Sequence, residues 1–333
     1  MVAQIDRDYI RIRPLKILPR IISYCLFEGR PVTTRGQWIN PIVFSHLSVL
    51  SKLPQFKKVE KPIFILGVGR SGTTILGMLM SMHRDVGFLN EPKAIWHTIH
   101  PREDVGGSYY KGEACYRLDS EDVTPEIRKT AHKLYGGYLA EVSSTRVVDK
   151  YPELSFRVPF VLEIFPDAKF IFLIRDGRET SRSIRRWSSV NGQSKIGVTH
   201  DWWGVDNQKW RLLVDKIIAP NPYFAEVLAD IRCFDNQVDM AAVEWIATMQ
   251  EGIELMRKYP ESIHGLKYEN LIDDPDSALK EVMSFCGLSN DKKVLDYARK
   301  VLRRPVPHDP LDIHGSIRPL FQDTLDYLYP EII

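Results

Sequence analysis

Residues 67–74, "GVGRSGTT", follow the apolar run "IFIL" and precede "ILGMLM". A glycine-rich turn between a buried strand and a helix fixes a strand–loop–helix unit, and with it an α/β fold. Backbone N–H groups in such a turn point inward at an anion, and the dipole of the following helix adds to their pull. The triphosphate-binding form is G-x-x-x-x-G-K-[ST], whose lysine reaches the β- and γ-phosphates. Gly67 and Gly72 have that spacing here, but Thr73 stands where the lysine should be. The loop therefore suits an anion whose 5′ chain is shorter, or one that carries a group other than a γ-phosphate. Ser71, Thr73 and Thr74 offer hydroxyl donors, and Arg70 offers a planar, permanently charged fork.

The rest of the chain alternates strand and helix patterns. "PIFILG" from Pro62 is a buried strand, and helical spacing follows over 73–82. Residues 85–89, 145–150, 168–175 and 263–271 are further strands. Residues 154–165, 178–190, 240–259 and 273–288 are helices, the last closed by Gly287. This alternation predicts an α/β domain, a mostly parallel sheet flanked by helices in the manner of P-loop NTPases, with helical and loop insertions. The domain spans 61–333, with insertions at about 92–145 and 191–238 that form lids, caps or a binding pocket. Residues 1–60 precede it as a basic, amphipathic extension. Such a segment either packs on the main domain with its charges in solvent or touches a membrane peripherally.

A second anion site is legible in "FIFLIRDGRETSRSI". Arg175 ends a strand, and Ser183 lies on the helix after it. In a parallel sheet both face the edge where strands end at their carboxyl termini, as the 67–74 loop does. A bidentate cation beside a hydroxyl suits a separate phosphate. Arg178, Arg182, Arg185 and Arg186 read mostly as a solvated basic face.

These two sites, with "KYENLIDDP" at 267–275 downstream, resemble the sulfotransferase family over roughly residues 60–290. The resemblance is to its bacterial and tyrosylprotein-like branch, which carries Arg where the small-phenol cytosolic enzymes usually carry Lys at position 70. It implies 3′-phosphoadenosine 5′-phosphosulfate (PAPS) as donor and adenosine 3′,5′-bisphosphate (PAP) as product. It also implies sulfuryl transfer to a hydroxyl of a carbohydrate, a peptide tyrosine, a lipid or a small metabolite. Gly69, Arg70, Ser71, Gly72, Thr73 and Thr74 then hold the 5′-phosphosulfate. Arg175 and Ser183 hold the 3′-phosphate, and Tyr268 belongs to the donor site. A donor with nothing beyond its phosphosulfate gives a Walker lysine no target, and no metal is expected.

For chemistry, Arg70 and Lys150 (in "VVDKYPE") are the candidate cations, with Lys150 a surface lysine beside Asp149 in the bland reading. Glu91, in "GFLNEPKAIWH", is the candidate general base; the alternative is a helix cap or salt-bridge partner. His83, His97 and His100 compete for that role, because imidazole is the base in the cytosolic branch. Trp202, Trp203 and Trp210 either stack on an acceptor or cap the core, and residues 314–320 ("HGSIRPL") are a candidate late loop over the donor. Two other classes stay open: a P-loop kinase using ATP, and a non-catalytic nucleotide-binding protein.

Composition narrows the partners. With 45 Lys and Arg against 43 Asp and Glu, bulk charge gives no reason to expect nucleic acid. Cys25, Cys115, Cys233 and Cys286 are widely spaced, which fits neither a metal cluster nor a disulfide framework and agrees with a reducing compartment. The charged start "MVAQIDRDYIRIRPLK" is unlike a signal peptide, and no uncharged apolar run nears the ~20 residues of a membrane span. The expectation is a cytoplasmic protein, either free or held peripherally at a membrane, whose oligomeric state is open.

Overall fold

The chain is described by a computed structural model over residues 2–195, 198–304 and 310–330. The first four predicted strands form β1 (Ile63–Gly67), β2 (Val86–Asn90), β3 (Arg146–Lys150) and β4 (Lys169–Ile174). A small antiparallel sheet, β5 (Gln193–Lys195), β6 (Val198–Asp201) and β7 (Gly204–Val205), interrupts the series before β8 (Ile263–Lys267). The main sheet has the order β2-β3-β1-β4-β8 and is parallel at every pairing.

Its central strands are apolar on both faces, as a sheet covered by helices requires. Phe64 and Leu66 of β1, with Phe170 and Phe172 of β4, point into one core. Ile63, Ile65, Ile171 and Leu173 alternate into the other. The first core is covered by the helices Pro125–Glu141 and Gln237–Lys258, the second by Thr73–Ser81, Pro275–Phe285 and Lys292–Val301. No helix among the described residues is long and apolar enough to cross a membrane.

The N-terminal extension is anchored to this body by buried polar contacts. The Arg20 guanidinium is buried, pairs with Glu28 within the extension and donates to the Phe88 carbonyl at 3.4 Å, while Glu28 accepts from the Asn90 N–H at 2.8 Å. Arg13 reaches Asp291 at 2.8 Å, and Lys16 Nζ donates to the Val86 carbonyl at 2.6 Å. Its inner face therefore packs on the main domain.

Two predicted elements are corrected. The strand expected over 263–271 stops at Lys267, and Tyr268–Asp273 is a helix that buries Leu271. The helix expected over 154–165 divides into a 3₁₀ segment, Pro152–Phe156, and the helix Val158–Ile164. Pro159 is in the first turn of the second piece, where its missing N–H costs nothing. The break falls at Arg157, whose buried guanidinium bonds Glu103 at 2.9 Å and the Tyr116 carbonyl at 3.1 Å. The ring of Pro159 excludes a helical turn before it, so the break falls where the proline puts it and the buried ion pair fixes Arg157 there.

Candidate functional site

Each of the five parallel strands delivers a polar group at its carboxyl end. β1 runs into the 67–72 loop, β2 is followed by Glu91, and β3 ends on Lys150. Arg175 follows β4, and Tyr268 follows β8. Open α/β sheets bind ligands along this edge. Here Arg70, Gly72, Thr73, Thr74, Glu91, Lys150, Arg175 and Ser183 line one cavity of about 290 Å³.

Three glycines fix the loop. Gly67 has φ +122, and a Cβ there would stand 2.5 Å from the Leu173 carbonyl. Gly72 has φ +101 and lies under the ring of Tyr268, which a Cβ would meet at 2.4 Å. Gly69 lies under Trp202 in the same way. Gly72 provides no side-chain cap for the helix Thr73–Ser81, so no side chain competes for its first N–H groups. Ser71 Oγ is buried with no hydrogen-bond partner, an unusual state for a hydroxyl.

Arg175 is held from three sides. Its Nη1 donates to the Arg70 carbonyl at 3.1 Å, its guanidinium lies 4.5 Å over the Tyr268 ring, and its carbonyl accepts from Trp245. Its Nε is buried and unpartnered. Arg70 Nε meets Ser183 Oγ at 3.2 Å, so the two anticipated anion sites are contiguous. Arg178 pairs with Asp176, while Arg185 and Arg186 are exposed, as a solvated face requires.

Glu91 and Lys150 form an ion pair. Sheet register sets it: Asn90 pairs with Lys150, and the next N–H, that of Glu91, donates to the Lys150 carbonyl at 2.7 Å. Lys150 is 1 % exposed, which excludes the surface-lysine reading; the Glu91 side chain is 40 % exposed, toward the cavity. Burial pushes the Glu91 carboxyl up, but Lys150 and Lys93 outweigh it and hold it below the usual carboxylate range. Glu91 (φ 50) and Arg70 (φ 70) are both non-glycine residues in the left-handed region, a strain that clusters at functional sites.

Glu91, Trp187 and Trp202 also wall a second cavity of about 130 Å³. Both insertions reach it, the first through Lys93, Ser108 and Tyr116, the second through Asp201, Trp202 and Lys209. Residues 31–34 of the N-terminal extension line it too. Four of its charges form two pairs, Lys93 with Glu153 at 3.3 Å and Lys209 with Glu244 at 2.5 Å. Asp201 accepts from the Trp203 N–H and from Gln237 Nε2. Against the penalty of burial, Lys93 and Lys209 hold the Glu153 carboxyl down at about 2. Glu244 also accepts from Trp202 Nε1 at 2.7 Å.

Sequence reasoning missed Lys93, Glu153, Trp187, Lys209 and Glu244. Glu153 closes the "DKYPE" stretch that contains Lys150, and Trp187 is one helical turn beyond Ser183, so both had a local signal. Lys209 and Glu244 had none. Of the three tryptophans, Trp202 lines both cavities, while Trp203 and Trp210 are core residues packed edge to face. His83 bonds the Ser289 carbonyl at 2.8 Å; His97 packs on Phe44 and Tyr109, and His100 on Phe160. None of the three lines either cavity. Residues 314–320 lie elsewhere as well, with His314 against Phe234 and its N–H on Asp239. Among the described residues, no group of three or more His, Cys, Asp or Glu side chains is placed to hold a metal ion.

Comparison with known proteins gives a consistent result. The chain matches the profile of the Sulfotransferase family over residues 62–292. It is 25% identical over 236 residues to the nodulation protein NoeE of Sinorhizobium fredii, covering 67% of this chain and 49% of that one. It is 24% identical over 268 residues to protein-tyrosine sulfotransferase A of Caenorhabditis elegans, covering 78% and 58%. Among solved structures, the sulfotransferase domain of the Synechococcus PCC 7002 olefin synthase superposes with a TM-score of 0.49 at 17% identity, over 84% of this chain and 98% of that domain. The chain spans half or less of the length of the first curated relatives it matches.

Proposed function

Because the chain belongs to the sulfotransferase family, we propose that it transfers the sulfuryl group of PAPS to a hydroxyl of an acceptor bound in the second cavity. The observation that carries this reading is the convergence of Arg70, Glu91, Lys150, Arg175 and Ser183 on one cavity at the carboxyl edge of the sheet. The residues fit such a donor. Ser71 Oγ and Arg175 Nε are buried groups without partners, and an anionic ligand would satisfy both. Residues 69–74 with Arg70 would hold the phosphosulfate end, Arg175 and Ser183 the 3′-phosphate, and Tyr268 would brace Gly72 and Arg175. When bound, the donor supplies an activated sulfuryl group on a phosphate leaving group.

Glu91 is the general base. It is ionised at neutral pH, lines both cavities, and accepts the proton of an acceptor hydroxyl brought up beside Trp202. Its pairing with Lys150 weakens it as a base in the resting protein. An anion held in the first cavity would compete with Glu91 for the Lys150 ammonium, and the carboxylate's proton affinity would rise. Arg70 and Lys150, already in place, stabilise charge that develops on the oxygens during transfer. Relatives that act on protein tyrosine and a nodulation protein leave the acceptor open among tyrosine, saccharide and other hydroxyls.

The test is incubation with sulfur-labelled PAPS and a panel of a tyrosine peptide, oligosaccharides, phenols and a lipid-linked alcohol. Label should appear in one class and be lost with Glu91→Gln. Transfer from ATP under conditions where PAPS is inert would overturn the proposal in favour of a kinase.

A further inference from the structure

The helix Asn40–Lys52 carries apolar side chains on two faces, one buried and one exposed. Val43, Leu47 and Leu50 face the core. On the outer side Ile42 and Val49 are exposed, with Trp38 (77 %) just before the helix and Leu53 and Phe56 (55 %) just after it also exposed. The remaining face carries Ser45, Ser48, Ser51 and Lys52, so the exposed apolar stripe borders a polar face, the form of a helix that lies at an interface. The concentration is local: of the large apolar side chains standing out among the described residues, nine lie between residues 10 and 56 and three elsewhere.

Charge identifies the occupant. Residues 29–59 contain five Lys and Arg and no Asp or Glu, and Arg35 and Lys52, both exposed, lie beside the stripe. Arg30 is buried, Lys57 bonds backbone carbonyls and Lys58 pairs with Glu60. Arg35 and Lys52 are therefore the cations this face presents, and a second copy of the chain would set them against their own like. An anionic surface meets no such repulsion. We propose that this face docks on a lipid bilayer bearing anionic headgroups, with Trp38 and Phe56 at the headgroup boundary and Arg35 and Lys52 on the phosphates. The placement also bears on the site. Thr34 lines the second cavity, and four residues of chain reach at most about 14 Å. Docking through Trp38 therefore holds that cavity close to the membrane surface.

The test is co-sedimentation of the full chain with vesicles of phosphatidylcholine alone and of phosphatidylcholine mixed with phosphatidylserine. Binding to the mixed vesicles should exceed that to neutral ones by about tenfold or more and weaken with added salt. The double variant Val49→Asp, Leu53→Asp, changed only at exposed positions, should fall to the neutral-vesicle level with its thermal midpoint unchanged. Failure of the wild type to bind mixed vesicles overturns the proposal, as does equal binding by the variant. So does a wild-type dimer in sedimentation equilibrium that the variant converts to a monomer.

Discussion

Glu91 and Lys150 meet because β2 and β3 are adjacent and end in register. The resulting pair decides how activity should vary with acidity. A base must be deprotonated to act, and Glu91 is held below the usual carboxylate pKa. Its contribution to kcat/KM is therefore complete at neutral pH, persists through pH 5, and is lost only as pH falls through that depressed value. A histidine base would impose an acid limb closer to neutrality than Glu91 does, although burial holds His83, His97 and His100 below the usual imidazole value. A kcat/KM profile that falls tenfold between pH 7 and 5.5, at constant protein stability, would contradict the Glu91 assignment. Glu91→Gln should lower turnover by about 10²–10⁴-fold, the range for a positioned base. PAP affinity should remain within a few-fold, because a carboxylate would repel the donor's anions and its loss removes no attraction to them. A merely structural Glu91 would give the reverse, a lowered melting midpoint with near-normal turnover at permissive temperature.

At the scale of elements, the loop after β1 and the strand β3 each support a prediction. Gly72 combines φ +101 with the Tyr268 ring at 2.4 Å from any Cβ. Gly72→Ala should cost about 1–2 kcal/mol of backbone strain alone. It should also displace Tyr268 and with it Arg175, so that thermal midpoint and PAP affinity fall together. Wild-type PAP affinity in that variant would show that the stack does not shape the site. In β3, Asp149 precedes Lys150 and is fully buried; burial raises its pKa to about 7 despite hydrogen bonds from Tyr135 and Trp96. A folded pKa above the unfolded value near 3.8 means that its contribution is fully present below pH ~4 and is lost as pH rises through 7. Asp149→Asn should flatten the fall in thermal midpoint between pH 5 and 8; an unchanged slope would assign that fall to other groups, such as Glu103.

The same elements show what the sequence revealed. The five sheet strands were visible because each is a short apolar run closed by turn or polar residues, and one face of the site followed from where those runs end. Arg70, Arg175 and Ser183 were legible because their spacing from a strand end is local. The break before Pro159 had a local signal in the proline itself, but the partner that holds Arg157 there, Glu103, is fifty-four residues away and was not legible. Lys209 and Glu244 were invisible for the same reason: they become a pair only when the second insertion folds over the helix Gln237–Lys258.

At the scale of the whole molecule, three stretches distant in sequence enclose the site. The sheet edge supplies the first cavity, while the insertions and residues 31–34 of the extension close the second. The central claim is that the first cavity recognises an adenosine bearing separate 3′ and 5′ anions, with no lysine at position 73 to hold a γ-phosphate. The most direct measurement is the shift in thermal midpoint with PAP, ATP and AMP, on wild type and on Arg175→Ala. A ligand at a hundredfold excess over its Kd stabilises by about 2.7 kcal/mol. The wild type should be stabilised by PAP at concentrations where ATP and AMP do little. Arg175→Ala should weaken PAP binding by about 2 kcal/mol, the scale of a lost charge-assisted contact, and leave the small AMP response unchanged. Equal stabilisation by ATP and PAP, or a PAP response untouched by the substitution, would contradict the account.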